Sequence, residues 1–309
     1  MPPLVSVVIP TVRRPKLVRR AIASAQAQTY PYIEIIVVVD GPDPETVAAL
    51  EQMDEPRLRV TQNPAPLGPG GARNAGARIA SGAWIAFLDD DDEWMPEKLD
   101  RQLEGRRSDE ALLLTCRCRV ENSEGSHIWP RRLYDGTQNI DEYLFDRTSL
   151  MRGDVYLATP TFVLPSWLFA KSGFGDTHQD EDTTLLLRVT KQCGARVHML
   201  EEPLVVVHEN PAQSLGFNFA WRDSLNWVTA MRDLVTPRAY SGYCLVILGS
   251  QAAKHRDIAA IPVLLKHAFI RGRPTPTQLL LFWSFWLLPQ SIKHPLRTGV
   301  SWLRSFYQH

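Results

Sequence analysis

The stretch Trp84-Ile85-Ala86-Phe87-Leu88-Asp89-Asp90-Asp91-Asp92-Glu93-Trp94 decides how the chain is read. An apolar run passes without a linker into four aspartates and a glutamate. A short continuous apolar run suits a strand buried on both faces of a parallel sheet. Open α/β sheets bind their ligands just beyond the carboxyl ends of the strands, so these carboxylates stand at a binding edge. Like charges this dense are costly unless something cationic neutralises them, and a hard divalent ion with oxygen ligands is the usual partner. A solvated acidic turn capping the next helix is the competing reading, and the four aspartates alone leave both open.

Outward from that strand the pattern repeats. Residues 4–9 (LVSVVI) read as a buried strand stopped by Pro10, and Leu17, Val18, Ala21, Ile22 and Ala25 then recur at helical spacing behind Pro15. Residues 33–39 (IEIIVVV) form a second strand that ends in the turn sequence Asp40-Gly41-Pro42-Asp43. A helix from Pro44 to about Met53, a strand around Arg57–Thr61, a loop over 63–71 and a helix over Ala72–Ala80 follow. This alternation predicts an α/β fold with a mainly parallel sheet flanked by helices, its sites Thr11, Asp40 and Asp89–Asp91 all on one edge. The first strand-to-helix turn has no GxGxxG, and no GxxxxGK[ST] occurs, which argues against a dinucleotide-dependent dehydrogenase or a P-loop NTPase.

The middle of the chain is mixed. Short β-like runs (ALLLTC, ATPTFVL, RVHML, PLVVV) alternate with loops, and a helix is predicted from Glu181 to Cys193 with Leu185, Leu186, Val189 and Cys193 on its inner side. Its first turn is Asp180-Glu181-Asp182, where carboxylates interact favourably with the helix dipole. From Ala212 onward the pattern is helical, broken at Pro237, Pro262, Pro274 and Pro289. The expected organisation is a catalytic domain over 1–210 and a C-terminal helical extension over 211–309.

Composition sets outer bounds. The 44% apolar and 22% charged shares are those of a globular protein, and the formal net charge of zero calls for no nucleic-acid partner. Cys116, Cys118, Cys193 and Cys244 are too scattered for a disulfide framework, and Cys116-x-Cys118 has the wrong spacing for a zinc knuckle. Reduced, buried thiols and a start, MPPLVSVVIP, without signal-peptide features lead to the expectation of a cytoplasmic protein.

Five motifs in register, VSVVIPT at the start, IIVVVDGPD at 35–43, GGARNAG at 70–76, FLDDDDEW at 87–94 and EDTTLLLR at 181–188, resemble family 2 glycosyltransferases. The resemblance implies a GT-A (Rossmann-like) fold over about residues 3–210. It also implies a nucleotide-sugar donor and inversion without a covalent intermediate. It assigns Thr11 to the nucleoside, Asp40 to the base or ribose, and Arg73 to the nucleotide and its phosphates. Asp89 and Asp91 become the D-x-D motif, Asp89 toward the ribose and Asp91 on a Mg²⁺ or Mn²⁺ that bridges the diphosphate. Asp90, between them, also reaches the nucleotide, and Asp182 is the general base. The sequence departs from the family pattern in two places. Members often have two aspartates where this chain has Val39-Asp40, so Asp43 is a second candidate for the nucleoside contact, and Asp92 extends the motif by one. His208, after the last core strand, is either a further metal ligand or a plain strand-end histidine.

The chemistry calls for these residue types. A departing nucleoside diphosphate is a polyanion, which a cation and an arginine neutralise. The acceptor hydroxyl needs a base within hydrogen-bond reach, and Asp182 is that candidate, with Glu181 as a neighbouring support or acceptor contact. Trp129, Tyr134 and Trp167 are candidate sugar-stacking aromatics, or simply packing residues. Two alternatives are a nucleotidyltransferase, with Arg13-Arg14-x-Lys16 as its basic loop, and an inactive nucleotide-sugar-binding scaffold.

The tail differs in charge from the rest. No Asp or Glu follows Asp257, whereas Lys266, Arg271, Arg273, Lys293, Arg297 and Arg304 do. Leu279–Leu288 is apolar but only about half the ~20 residues that cross a bilayer. Tryptophans and cations beside a short apolar helix suit the membrane interface, so residues 275–309 are expected to hold the enzyme peripherally on the cytoplasmic face. The acceptor is then expected to be a saccharide or lipid-linked precursor.

Overall fold

A computed structural model describes residues 2–123, 125–147, 155, 157–175, 180–209 and 221–287. These fall into two compact units, one within Met1–Ile140 and Val155–Asn218, the other within Asp141–Asp154 and Phe219–His309.

The first unit is built on the expected alternation. β1 (Val5–Thr11) is buried along its whole length, α1 (Pro15–Gln26) buries Val18, Ala21, Ile22 and Ala25, and β2 (Ile33–Val39) is again almost wholly buried. α2 (Pro44–Glu51) is capped by Asp43, whose carboxylate accepts from the Thr46 amide at 3.2 Å. β3 (Leu58–Gln62) leads to α3 (Gly68–Arg78), which begins four residues before the expected Ala72. The reason is remote in sequence: the Asp40 carboxylate accepts from the amides of Leu67 and Gly68, satisfying donors that a helix start leaves open. Inside α3, a Cβ on Gly76 would lie 2.5 Å from Val8 Cγ1, so the bare backbone sets how closely helix and sheet approach.

β4 (Trp84–Phe87), β5 (Glu93–Trp94), α4 (Lys98–Leu103), β6 (Leu112–Asn122) and β7 (Gly125–Trp129) come next. α5 (Ile140–Phe145) is followed by a 3-10 turn at Thr159–Thr161, β8 (Val163–Pro165) and α6 (Ser166–Ser172). α7 (Glu181–Leu187) continues as a wider π turn over Arg188–Gln192 and leads to β9 (Arg196–His208). The two β-like runs expected at 196–200 and 203–207 are thus one strand. A register irregularity lies where Cys116, Arg117 and Cys118 pass Leu200, Pro203 and Val205, the kind of place where a strand tolerates proline.

Among the described residues the sheet order is β3-β2-β1-β4-β8-β6-β9-β5, with β7 paired to β6. Pairing is parallel from β3 to β4 and between β6 and β9, and antiparallel at β4–β8, β6–β8, β5–β9 and β6–β7. The sheet is therefore mixed, parallel where the alternation is regular. Registers Thr11↔Val39 and Val8↔Phe87 bring the ends of β1, β2 and β4 to one edge, carrying Thr11, Asp40 and Asp89–Asp91.

The second unit is helical. It contains α8 (Trp221–Ala230), α9 (Pro237–Gly242) running through a π segment into α10 (Gly249–Lys254), α11 (Ala260–Arg271) and α12 (Pro276–Leu287). Most of α5 belongs here: Phe145 packs edge-on to Tyr243 at 4.8 Å, and Asp146 accepts from Gln278 Nε2 at 2.8 Å and pairs with Arg238 Nε at 2.6 Å. The expected break at Pro237 is present, with that proline opening α9, and Pro274 separates α11 from α12. Pro262, an expected break, instead sits in the first turn of α11, where its missing N–H has no intrahelical partner to lose. Pro289, like Leu288 and the rest of the tail to 309, lies outside the described residues.

Candidate active site

The acidic stretch beyond β4 is divided among different partners. Asp90 is buried and accepts from Thr11 Oγ1 at 2.8 Å and from Arg14 Nη1 at 3.0 Å. Burial pushes its carboxyl up to about 6, against the pull of Thr11 and Arg14. Asp91 shares the same Arg14 Nη1, 3.0 Å from its Oδ2, and burial with nearby Asp89 raises its pKa. Asp92 is 4% exposed and accepts from the His208 amide at 3.0 Å, so it fastens the end of β9. Burial and the charges of Asp89 and Asp91 hold it well above the usual carboxylate range. Glu93 meets Arg20 Nε at 3.3 Å and His208 Nε2 at 2.9 Å. The side chains of Asp89 and Asp91 stay 26% and 34% exposed, which leaves the x-flanking pair of the D-x-D spacing open to a ligand.

Arg73 connects this edge to the start of α7. It is buried in α3, with Nη2 2.5 Å from Asp89 Oδ1 and Nη1 3.2 Å from Glu181 Oε1. Its guanidinium lies 5.1 Å from the ring centroid of Phe174, which packs in turn on Phe87 at the end of β4. Asn74 holds that platform by accepting from the Phe174 amide at 2.9 Å and donating to its carbonyl at 3.2 Å. Gly70 lets α3 come this close: a Cβ there would stand 3.0 Å from the Gly175 carbonyl oxygen and 3.2 Å from Glu181 Cβ.

Asp182 follows directly. Its Oδ1 accepts from the Thr183 amide at 2.6 Å, and burial raises its pKa against that bond and Arg73, while Asp89 pushes it further up. Glu181 is raised as well, by burial and then by the charge of Asp182. The Asp89 carboxylate is thus near enough to Asp182 for its charge to reach it. Asp180 and Arg13, on the two loops that enter the site, hold left-handed backbone at φ 61° and 54°, which costs roughly 1–2 kcal/mol per non-glycine residue.

The remaining candidates are placed as follows. Asp40 is at the edge, but its oxygens are occupied by Asn63 Nδ2 at 2.8 Å and the two α3 amides, so in this state it is a helix cap. Asp43 caps α2 and accepts from the Arg13 amide at 2.6 Å. His208 turns its ring to Glu93 and, at 3.7 Å, to Glu121. Trp129 is buried at 9% exposure, Tyr134 is half-buried and donates its hydroxyl to the Gln138 carbonyl, and Trp167 is 38% exposed and donates to the Ser108 carbonyl. Arg20, Asn74 and Phe174 were not singled out in the sequence, and Arg14 only as part of a basic loop. The helical spacing of α1 and the motif GGARNAG carried the signal for Arg20 and Asn74. Nothing local marks Phe174.

Among the described residues no group of three or more His, Cys, Asp and Glu side chains forms a preassembled metal cage. Asp89 and Asp91 nevertheless fit a hard cation. Both are part-exposed oxygen donors, and Mg²⁺ is commonly held by one or two carboxylates with the substrate's phosphates completing the shell.

The sheet edge and its paired acidic sites define a GT-A-type fold. The chain superimposes on the crystal structure of S. aureus TarS 1–349 in complex with UDP-GlcNAc with a TM-score of 0.55 at 17% identity, over 84% of this chain and 90% of that one. Residues 6–175 match the family model described as Glycosyl transferase family 2, and the chain belongs to that family. It is 26% identical over 255 residues to the amylovoran biosynthesis glycosyltransferase AmsB of Erwinia amylovora, covering 76% of this chain and 82% of that protein. It is 34% identical over 100 residues to the Escherichia coli UDP-Glc:alpha-D-GlcNAc-diphosphoundecaprenol beta-1,3-glucosyltransferase WfgD, covering 32% of this chain and 40% of that protein.

Proposed function

We propose that this glycosyltransferase moves a sugar, with inversion, from a UDP-sugar or another nucleotide-sugar to a hydroxyl of a saccharide, carried on a lipid-linked or cell-surface polysaccharide precursor. The observation that carries the reading is Arg73, whose single guanidinium pairs with Asp89 and with Glu181, the chain neighbour of the proposed base Asp182. In this reading Thr11, Asp40, Arg73, Asp89 and Asp90 contact the nucleotide, and Asp91 with Asp89 would hold Mg²⁺ or Mn²⁺. When bound, that ion would neutralise charge on the diphosphate.

The chain's own residues do the rest. Asp182 takes the proton of the acceptor hydroxyl as its oxygen bonds to the anomeric carbon. On the opposite face the bond from that carbon to the diphosphate oxygen breaks. Burial makes Asp182 a stronger base than a solvated aspartate. Arg73, already desolvated, faces the negative charge that develops on the leaving group without needing to reorganise. Donor and acceptor classes are supported by the UDP-GlcNAc complex of TarS and by the names of AmsB and WfgD.

Placement at the cytoplasmic face of a membrane belongs to the same reading. Among the described residues no helix is long and apolar enough to cross a bilayer. On α12 the exposed side chains Leu280, Trp283 and Leu287 recur on one helical face, and α11 exposes Lys266, Phe269, Ile270 and Arg271. With no acid after Asp257, the surface this chemistry fits is anionic lipid.

The test is a panel of nucleotide-sugars with and without Mn²⁺, read first by thermal shift and then by the anomeric configuration of the product. Stabilisation by one nucleoside diphosphate class and an inverted product are expected. A product of retained configuration would sink the mechanism.

A further inference from the structure

Arg14 is a basic side chain of the loop after β1 that the proposed chemistry leaves without a task. Its Nη1 stands 3.0 Å from Asp90 Oδ1 and 3.0 Å from Asp91 Oδ2, so one nitrogen serves two carboxylates. Arg14 is fixed there by geometry. It immediately precedes α1, whose amide of Val18 bonds the Arg14 carbonyl at 3.1 Å, while Thr11, three residues earlier, binds the other oxygen of Asp90. Six residues further on, Arg20 donates to the backbone carbonyl of Asp91 and pairs with Glu93. Arg73 covers Asp89. Each open carboxylate of the acidic stretch therefore already has an internal cation.

This arrangement makes a cation at Asp91 compete with Arg14 for the same oxygen. A divalent ion bound to Asp91 Oδ2 would lie within a few ångströms of the guanidinium, and two positive centres at that separation in a partly buried site repel strongly. A nucleoside diphosphate changes the balance, because its phosphates bring enough negative charge to accommodate both. We infer that Arg14 is an internal counter-ion that keeps the cation seat closed in the nucleotide-free enzyme, so that divalent metal and diphosphate bind as a pair rather than independently. Arg14 is thus a positioning residue acting through Asp91. The inference rests on the reading of Asp89 and Asp91 as cation ligands.

Direct titration of Mn²⁺ into the full chain, followed by electron paramagnetic resonance of the free ion, separates the two. In the nucleotide-free state Arg14→Gln is expected to tighten Mn²⁺ binding at least tenfold, and Arg14→Met, which keeps the apolar stem packed, to do the same. Arg14→Lys keeps the charge and should stay within about twofold of wild type. Adding Asp91→Asn to Arg14→Gln should abolish the gain. An unchanged or weaker nucleotide-free affinity in both neutral variants would overturn the inference, as would a gain that survives Asp91→Asn. A wild-type enzyme that takes up Mn²⁺ only when UDP is present supports the pairing. One that binds Mn²⁺ tightly without UDP, and no tighter with it, removes the pairing while leaving Asp91 a metal ligand. Absence of protein-bound Mn²⁺ even with saturating UDP would remove both ideas.

Discussion

Arg73 Nη1 lies 3.2 Å from Glu181 Oε1 although 108 residues separate them in the chain. That contact joins α3 to the first turn of α7, and the second arm of the same guanidinium, on Asp89, ties in the acidic stretch after β4. The catalytic consequences are specific to each partner.

Asp182→Asn keeps the shape and the Thr183 contact but removes the proposed proton acceptor. Turnover should fall by about 10²–10⁴, the usual worth of a positioned general base. UDP affinity measured calorimetrically should change little. Normal turnover would mean another group takes the proton.

Arg73→Lys keeps one positive charge but cannot reach Asp89 and Glu181 together. Losing a preorganised donor to the leaving group is expected to lower kcat by about 10²–10³. The melting temperature should also drop, because two partly buried carboxylates lose their shared partner. A variant with lowered stability and full kcat would confine Arg73 to a structural role.

Asp91→Ala should remove the cation-dependent part of donor binding while leaving the fold intact, since Asp91 is the more exposed of the two D-x-D carboxylates. Thermal shift with UDP and Mn²⁺ together, compared with UDP alone, reads this. An undiminished Mn²⁺ increment would dismiss Asp91 as the ligand.

Lys98 predicts a pH dependence of stability. It is fully buried in α4, donates to Gln102 Oε1 at 2.7 Å and lies 4.1 Å from the Trp94 ring centroid, yet burial lowers its pKa to about 7. The unfolded chain keeps the proton up to about 10.5, the ordinary lysine value, so between pH 7 and that point the unfolded state binds more protons. Stability should therefore rise with pH across this window, with a limiting slope of about 1.4 kcal/mol per pH unit. Below pH 7 both states are protonated and the contribution is flat. Chemical denaturation of wild type and Lys98→Met at several pH values should show the variant with a shallower rise. Parallel curves would remove Lys98 as the cause.

Leu280→Asp, Trp283→Asp and Leu287→Asp together should cut co-sedimentation with vesicles containing anionic phospholipid, with neutral vesicles as the control for binding that needs no lipid charge. The apolar face and the cationic residues around it each lose effect when the other is absent. Retained binding by the triple variant would place the contact elsewhere.

How much of this was readable from residues alone depends on whether the cause was local. β1, β2 and β4 announced themselves because continuous apolar runs bounded by turn residues have few other solutions. The start of α3 did not, because the carboxylate that caps it is Asp40, on another strand. Pro262 misled for a related reason: a proline breaks a helix only where its N–H would have bonded, and the first turn has no such bond. At the site, the acidic stretch after β4 and the ED pair stood out in the sequence by charge density and position alone. Their bridge through Arg73, the stacking of Arg73 on Phe174 and the diversion of Asp92 to the His208 amide are tertiary facts with no short-range signature.

The short helix α5 has a practical consequence. Tyr143 and Phe145 are interior residues of the C-terminal unit, and Asp141 and Asp146 tie the same segment to Thr236, Arg238 and Gln278. A fragment cut near residue 210 would therefore carry a stranded greasy ribbon torn from its home. Anyone trimming the gene to obtain a minimal enzyme should expect inclusion bodies, unless residues 141–147 are replaced by a hydrophilic bridge.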